Sequence, residues 1–219
     1  MSLRERKKQQ ARLDILTSAR ELIDQHGYEH AKMRDIAEAA NLSYQTLYNY
    51  FPAKALILQA LLLEDVAETT ARVDALSQSY QSGTEDLLTT LHAIHRARMD
   101  SVSPRDRALW RVAATDLSHQ PGRATTIYQL IDAGAHQKLE VLLAAARGKA
   151  DLNPHVDCAL LAETLIAIGD HTLSRYIMEA STPRASLLQT LKAQTDLLMK
   201  PYLQQELHQA NLQKAILPG

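Results

Sequence analysis

From Arg34 to Ala40 the apolar positions Ile36, Ala37 and Ala40 recur at i, i+1 and i+4, while Asp35 and Glu38 fall outside the stripe. That spacing predicts a short helix whose small residues let another helix cross closely. Asn41 follows where the chain must turn, and after glycine it is one of the few residues that enter the left-handed region cheaply. Leu42 plugs the turn into the core, and Ser43 is a good N-cap for a second helix, its hydroxyl able to satisfy an orphan N–H of the first turn. Leu47 and Phe51, four apart, form the buried edge of that helix and leave Tyr44, Gln45, Thr46, Tyr48, Asn49 and Tyr50 mostly pointing away. The pattern over Met33–Lys54 is therefore helix, three-residue turn, helix. A surface helix carrying three tyrosines and no charge calls for a cover. Either neighbouring helices pack on the tyrosines, or their hydroxyls and edges, with the amides, reach phosphates and base edges in a major groove wide enough to admit a helix.

Downstream, prolines divide the chain better than periodicity does. Ser103-Pro104, Asn153-Pro154 and Thr182-Pro183 each place a capping residue before a proline, which is tolerated at the first helical position. Phe51-Pro52 and Gln120-Pro121 mark two further starts, and Thr84 ahead of Glu85 and Asp86 reads as an N-cap with acids at the positive end of the helix dipole. Gly27 and Gly148 stand where helices should stop. Helices are predicted at about residues 4–26, 33–40, 44–50, 53–78, 84–102, 104–118, 122–147, 154–180 and 183–208, with a frayed or bent extension near Pro201. No stretch alternates like a strand and no fixed-period repeat occurs, so the fold class is all-α.

Composition adds bounds. A chain of 219 residues, 46% hydrophobic and 22% charged, can build one large or two modest cores. With 24 Lys+Arg against 25 Asp+Glu the net charge is −1, which excludes a protein held on nucleic acid by bulk charge. Charge placement is another matter: Arg4, Arg6, Lys7, Lys8 and Arg12 face only Glu5 near the start, a basic arm of local charge +4. Such an arm either frays in solvent or lies along phosphates, each neutralised phosphate steepening the salt dependence by roughly 0.9 in log–log slope. The start is charged rather than apolar, and runs such as Leu160–Ile168 are broken by Glu163 and Thr164, so no membrane association is expected and the expected location is the cytoplasm. The single cysteine, Cys158, sits in a helical apolar pattern and reads as a buried structural thiol.

The segment RDIAEAANLSYQTLYNYFPAKALI resembles the signature of the TetR family of bacterial transcriptional regulators, gap-free from about Ala11 to Leu58. The resemblance implies an all-helical homodimer of about nine helices, with a three-helix DNA-binding domain over residues 1–52 and a ligand-binding and dimerisation domain over 53–219. By position it gives the recognition helix to Ser43, Tyr44, Gln45, Thr46, Tyr48, Asn49 and Tyr50, and a phosphate contact to Lys54. Arg4, Arg6 and Lys7 of the arm join them as expected DNA contacts. Three positions depart from the family pattern. Asn41 stands where glycine is usual, Lys32 where Thr or Ser caps the second helix against a phosphate, and Tyr44-Gln45 where Lys-Gly is frequent. An ammonium at Lys32 can contact the same phosphate, while Tyr44-Gln45 means that the operator cannot be borrowed from relatives.

The expected partners are a double-stranded DNA operator, a small-molecule effector and a second copy of the chain. Leu160, Leu161, Leu165, Ile166, Ile168, Leu173 and Ile177 spread over more than one helix face, and Leu187, Leu188, Leu191, Leu198 and Tyr202 continue the theme. The resemblance implies a four-helix bundle of these last two long helices across a two-fold axis, which also sets two recognition helices about 34–36 Å apart on a palindrome. Candidate effector contacts are His92, His95, Met99, Trp110, Asp116, Tyr128, Ile131 and His171, a mostly apolar set with a few polar groups that fits an apolar or amphipathic ligand. His92 and His95 with Cys158 or His171 suit zinc chemically, but nothing fixes a full ligand set, and no metal or cofactor is expected. The sequence has no Gly-rich phosphate loop, no HExxH and no recognisable nucleophile setting, so it does not read as an enzyme. The rival reading is a dimeric helical ligand or metal sensor whose DNA-binding segment is non-functional.

Overall fold

The computed structural model describes residues 2–104, 106–116, 124–179 and 181–204, with side chains at all of these except 115, 116 and 124–134. Nine α-helices run through them: α1 (Leu3–His26), α2 (Met33–Ala39), α3 (Tyr44–Tyr50), α4 (Lys54–Gln81), α5 (Leu87–Asp100), α6 (Arg107–Asp116), α7 (Ala124–Gly148), α8 (Cys158–Met178) and α9 (Arg184–Met199). The fold is all-α, as the pattern predicts. Extended pairing among the described residues is limited to one isolated antiparallel bridge, Leu152 with Leu203.

Several boundaries differ from the predicted ones, each for a local reason. Pro154 lies in a turn rather than in the first turn of α8: Asn153 Oδ1 accepts from the His155 N–H, and the true cap is Asp157, whose carboxylate accepts from Ala159 and Leu160. Pro104 likewise precedes α6, with Ser103 Oγ accepting from the Asp106 N–H. At α5 the Asp86 carboxylate, rather than Thr84, receives an N–H, that of Thr89. Gly148 is the last residue of α7, and the left-handed residue after it is Ala150 at φ 61°. Asp151 N–H then reaches back to Ala146 O at 3.0 Å, the six-to-one closure of a Schellman end. Past α9 the chain turns at Pro201, and the predicted stretch 205–208 lies outside the described residues.

The chain forms two compact units. The first, Met1–Glu68 with Ser101–Gln129, buries Ile15, Leu16, Ala19 and Ile23 of α1, Ile36 and Ala37 of α2, Leu47 of α3, and Ile57, Leu58, Leu61 and Leu62 of α4. Its polar spine is Arg20, which donates to Asp106 at 2.6 Å and to Asp65 at 2.9 Å. The second unit, Thr69–Asp100 with Leu130–Gly219, centres on Leu91, Ile94, Leu142, Leu143, Leu161, Leu165, Ile166 and Met199. Tyr80 closes one edge of it by donating to Asp151 at 2.5 Å, while Lys149 sits over the Tyr80 ring and donates to the Tyr80 and Gln81 carbonyls. Helix α4 is continuous and contributes residues to both units.

Candidate nucleic-acid interface

The turn between α2 and α3 has the geometry its residues require. Asn41 adopts φ 55°, and Leu42 N–H bonds Ala37 O at 2.8 Å while Asn41 N–H bonds Glu38 O at 2.9 Å. Ser43 then stands in extended conformation and caps α3, its Oγ accepting from the Thr46 N–H at 3.1 Å. The Ser43 and Thr46 hydroxyls are also 2.8 Å apart. Leu47 and Phe51 are buried and fix which face of α3 turns inward.

What remains outside is the predicted face. Tyr44 is 47% exposed and Tyr48 46%, which tells against burial of these rings among neighbouring helices. Their centroids lie 6.3 Å apart at an interplanar angle of 32°, one turn apart on the same side of the helix. Gln45 and Asn49 are exposed beside them, with Gln45 Nε2 donating to Asn49 Oδ1 at 3.2 Å. Thr46 and Tyr50 are half-buried. The pairing orients the Gln45 amide but is weak enough to yield to a better partner.

The basic start of the chain is helical. Ser2 and Glu5 form a capping box, and Arg4, Arg6, Lys7 and Lys8 all project from the exposed first turns of α1. Hydrogen bonds from Ser2 hold the Glu5 carboxyl below its ordinary value. Arg12 is also exposed, but its guanidinium has partners in the protein, lying 5.6 Å from the Phe51 ring centroid and 3.6 Å from Glu64. Lys32 occupies the N-cap of α2 without a side-chain bond to the helix and is exposed. Lys54 opens α4, and its ammonium donates to the Tyr28 carbonyl at 2.6 Å and the Glu29 carbonyl at 3.3 Å while lying 4.2 Å from the Tyr28 ring centroid.

The candidate effector residues divide between the units. In the second, Met99 is buried, and His92 is half-buried with Nε2 2.6 Å from Asp196 Oδ1. His95 is buried and its Nδ1 has no hydrogen-bond partner. Burial first, then the neighbouring Arg98 and His92, push the His95 imidazole down to about 3, so the ring is neutral across physiological pH. His171 is exposed on the outer face of α8. In the first unit, Trp110 is buried with an unpartnered Nε1. The side chains of Asp116, Tyr128 and Ile131 lie outside the described residues.

Sequence reading passed over three residues beside His95. Arg98 pairs with Asp170, and a β-carbon on Gly169 would stand 3.0 Å from Arg98 Nη1 and 3.1 Å from His95 Nδ1. The glycine is what lets α8 approach that pair. A glycine in the middle of a predicted helix is the signal that could have found this spot. Among the described residues no group of three or more His, Cys, Asp or Glu is gathered to hold a metal ion, and no helix is long and apolar enough to cross a membrane.

An uncharged, exposed second helix after a tight turn, its inner edge fixed by Leu47 and Phe51, defines a helix-turn-helix of the kind that enters a DNA groove. Residues 15–61 match the family described as bacterial regulatory proteins, tetR family, so this segment of the chain is similar to the helix-turn-helix region of that family. The regulator UidR of Escherichia coli K12 is 36% identical over 64 residues, 29% of this chain and 33% of that relative, so the likeness spans about a third of UidR's length. The fold extends further. A TetR transcription regulator from Haloarcula marismortui superposes with a TM-score of 0.72 at 14% identity, covering 89% of this chain and 98% of that one. FadR of Thermus thermophilus, a TetR-family repressor in complex with lauroyl-CoA, superposes with a TM-score of 0.65 at 21% identity, covering 86% of this chain and 93% of that one.

Proposed function

We propose that the chain is a ligand-responsive transcriptional regulator, a repressor that binds a semi-palindromic operator as a homodimer and is released by a small apolar or amphipathic effector. In this reading residues 1–52 serve DNA and 53–219 serve effector and partner. The observation that carries it is the exposed face of α3, where Tyr44, Gln45, Tyr48 and Asn49 stand on a helix whose cap and inner edge are already satisfied within the protein. Tyr44 and Gln45 read base edges. Thr46, Tyr48 and Tyr50 set register on phosphates, helped by Lys32 and by Arg4, Arg6 and Lys7 from the helical start of α1.

Dimerisation through α8 and α9 is supported by what they leave uncovered. Leu160 is 60% exposed and Met178 48%, eighteen residues apart and so on one stripe of α8 with Ala167 and His171. On α9, Leu197 is 74% exposed, in line with exposed Ser186, Thr190 and Ala193. Two adjacent stripes of apolar and small residues suit helices packing across a two-fold axis. Effector binding near His95 favours a dimer whose reading helices are wrongly spaced, transmitted along the continuous α4, with a coupling of about 1–3 kcal/mol. The unpartnered, neutral His95 Nδ1 supports an effector with one polar group set in an apolar body.

The test is Gln45→Ala, titrated against duplexes that differ at single positions of a half-site. Preference at one base position should relax by about 1–3 kcal/mol while affinity for unrelated duplex stays unchanged. An equal loss on every duplex would remove Gln45 from base reading.

A further inference from the structure

We infer that Lys54 is a positioning residue that clasps the base of the helix-turn-helix, fastening the point where the chain enters it to the point where it leaves. Family resemblance gives this lysine to a phosphate; its surroundings give it another task. Tyr28 and Glu29 belong to the connection between α1 and α2, immediately after Gly27 has turned the chain out of α1 at φ 81°. Lys54 is the first residue of α4, three residues after the cap of α3. The segment from Tyr28 to Lys54 is thus a loop holding α2, the turn and α3, and the Lys54 ammonium closes it. Two of its three protons go to the carbonyls of Tyr28 and Glu29, and its charge rests over the Tyr28 ring.

Those carbonyls lie beyond the helical ladder of α1, so a cation is an apt donor for them. Leu47 and Phe51 decide which side of α3 faces inward, but a buried edge leaves a short helix free to tilt about it. A clasp at the ends of the loop removes that freedom and ties the reading helix to the start of α4. On this account Lys54 acts on DNA through the pose of α3. This consequence rests on the regulatory reading above, whereas the clasp itself is a property of the free chain.

The deciding experiment is hydrogen exchange on the full, unliganded chain carrying Lys54→Met, which keeps the stem and removes the charge. Amides between Glu29 and Ala37 should exchange about tenfold faster or more, with those of α5 and α8 unchanged. Unchanged exchange between Glu29 and Ala37 overturns the clasp, whatever happens on DNA. If Lys54→Met does not fold, Tyr28→Leu, which removes only the ring beneath the ammonium, should show the same local acceleration more weakly, and its absence overturns the clasp equally. On an operator duplex, Lys54→Met should lose at least tenfold in affinity with its salt slope retained. A slope reduced by about 0.9 would make Lys54 a plain phosphate contact and overturn the positioning role. Failure of the wild type to bind any duplex would refute the regulatory reading and leave the exchange result to decide the clasp.

Discussion

Burial pushes the Asp65 carboxyl up to about 6, against the pull of Arg20 at 2.9 Å and with the help of like charge from Asp106 and Glu64. A folded-state value above the ordinary one of about 3.9 means that the folded chain holds this proton more tightly than the unfolded chain. The stabilisation this gives is complete below about pH 4 and is lost as pH rises to about 6. His95 works in the opposite sense. Its value is depressed to about 3, so its contribution is complete above the ordinary histidine value of about 6.5 and is lost as pH falls toward 3. Urea unfolding at pH 4, 5, 6 and 7 separates the two. Relative to wild type, Asp65→Asn should gain stability as pH rises from 4 to 6, and His95→Leu should gain as pH falls below 6.5. Parallel curves for both variants and wild type would show that neither environment is as described. Neither residue was legible in these terms from sequence, because Asp65 meets Arg20 of α1 and, through it, Asp106 from ahead of α6, while His95 lies against Gly169 of α8.

At the scale of elements, what was legible is what depends on neighbours in the chain. The α2–turn–α3 unit is local, and the left-handed Asn41, the Ser43 cap and the Leu47–Phe51 edge all stand as their residue types require. Removing that cap by Ser43→Ala should cost about 1 kcal/mol of stability and weaken DNA binding, since the Thr46 N–H loses its acceptor. Thermal unfolding measures it, and no change in midpoint would mean that water replaces the cap without loss. Helix starts at prolines were less legible. A capping residue before proline reads the same whether proline opens a helix or sits in a turn ahead of one, and at Pro154 a later acid, Asp157 capping α8, decides the matter. The end of α7 shows the same limit, because a Schellman closure there forces Ala150 rather than a glycine into the left-handed region.

At the scale of the whole molecule, the exposed face of α3 could be read because one short segment carries it, while the cluster around His95 could not. His95 and Arg98 come from α5, Gly169 and Asp170 from α8, and no spacing in the sequence relates them. The outer stripes of α8 and α9 fall between these cases: apolar excess on more than one face was visible, but exposure of Leu160, Met178 and Leu197 shows which face is left over. On the regulatory reading proposed above, a net charge of −1 means that affinity comes from placed contacts and from two reading helices engaging together rather than from bulk attraction. Binding-site selection with the full chain from random-sequence duplexes, near 0.15 M salt, therefore bears most directly on the regulatory reading. The account predicts enrichment of an inverted repeat whose half-sites are centred about one helical turn apart or a multiple of it. Recovery of duplexes with no shared sequence, or of a single unrepeated half-site, would contradict it.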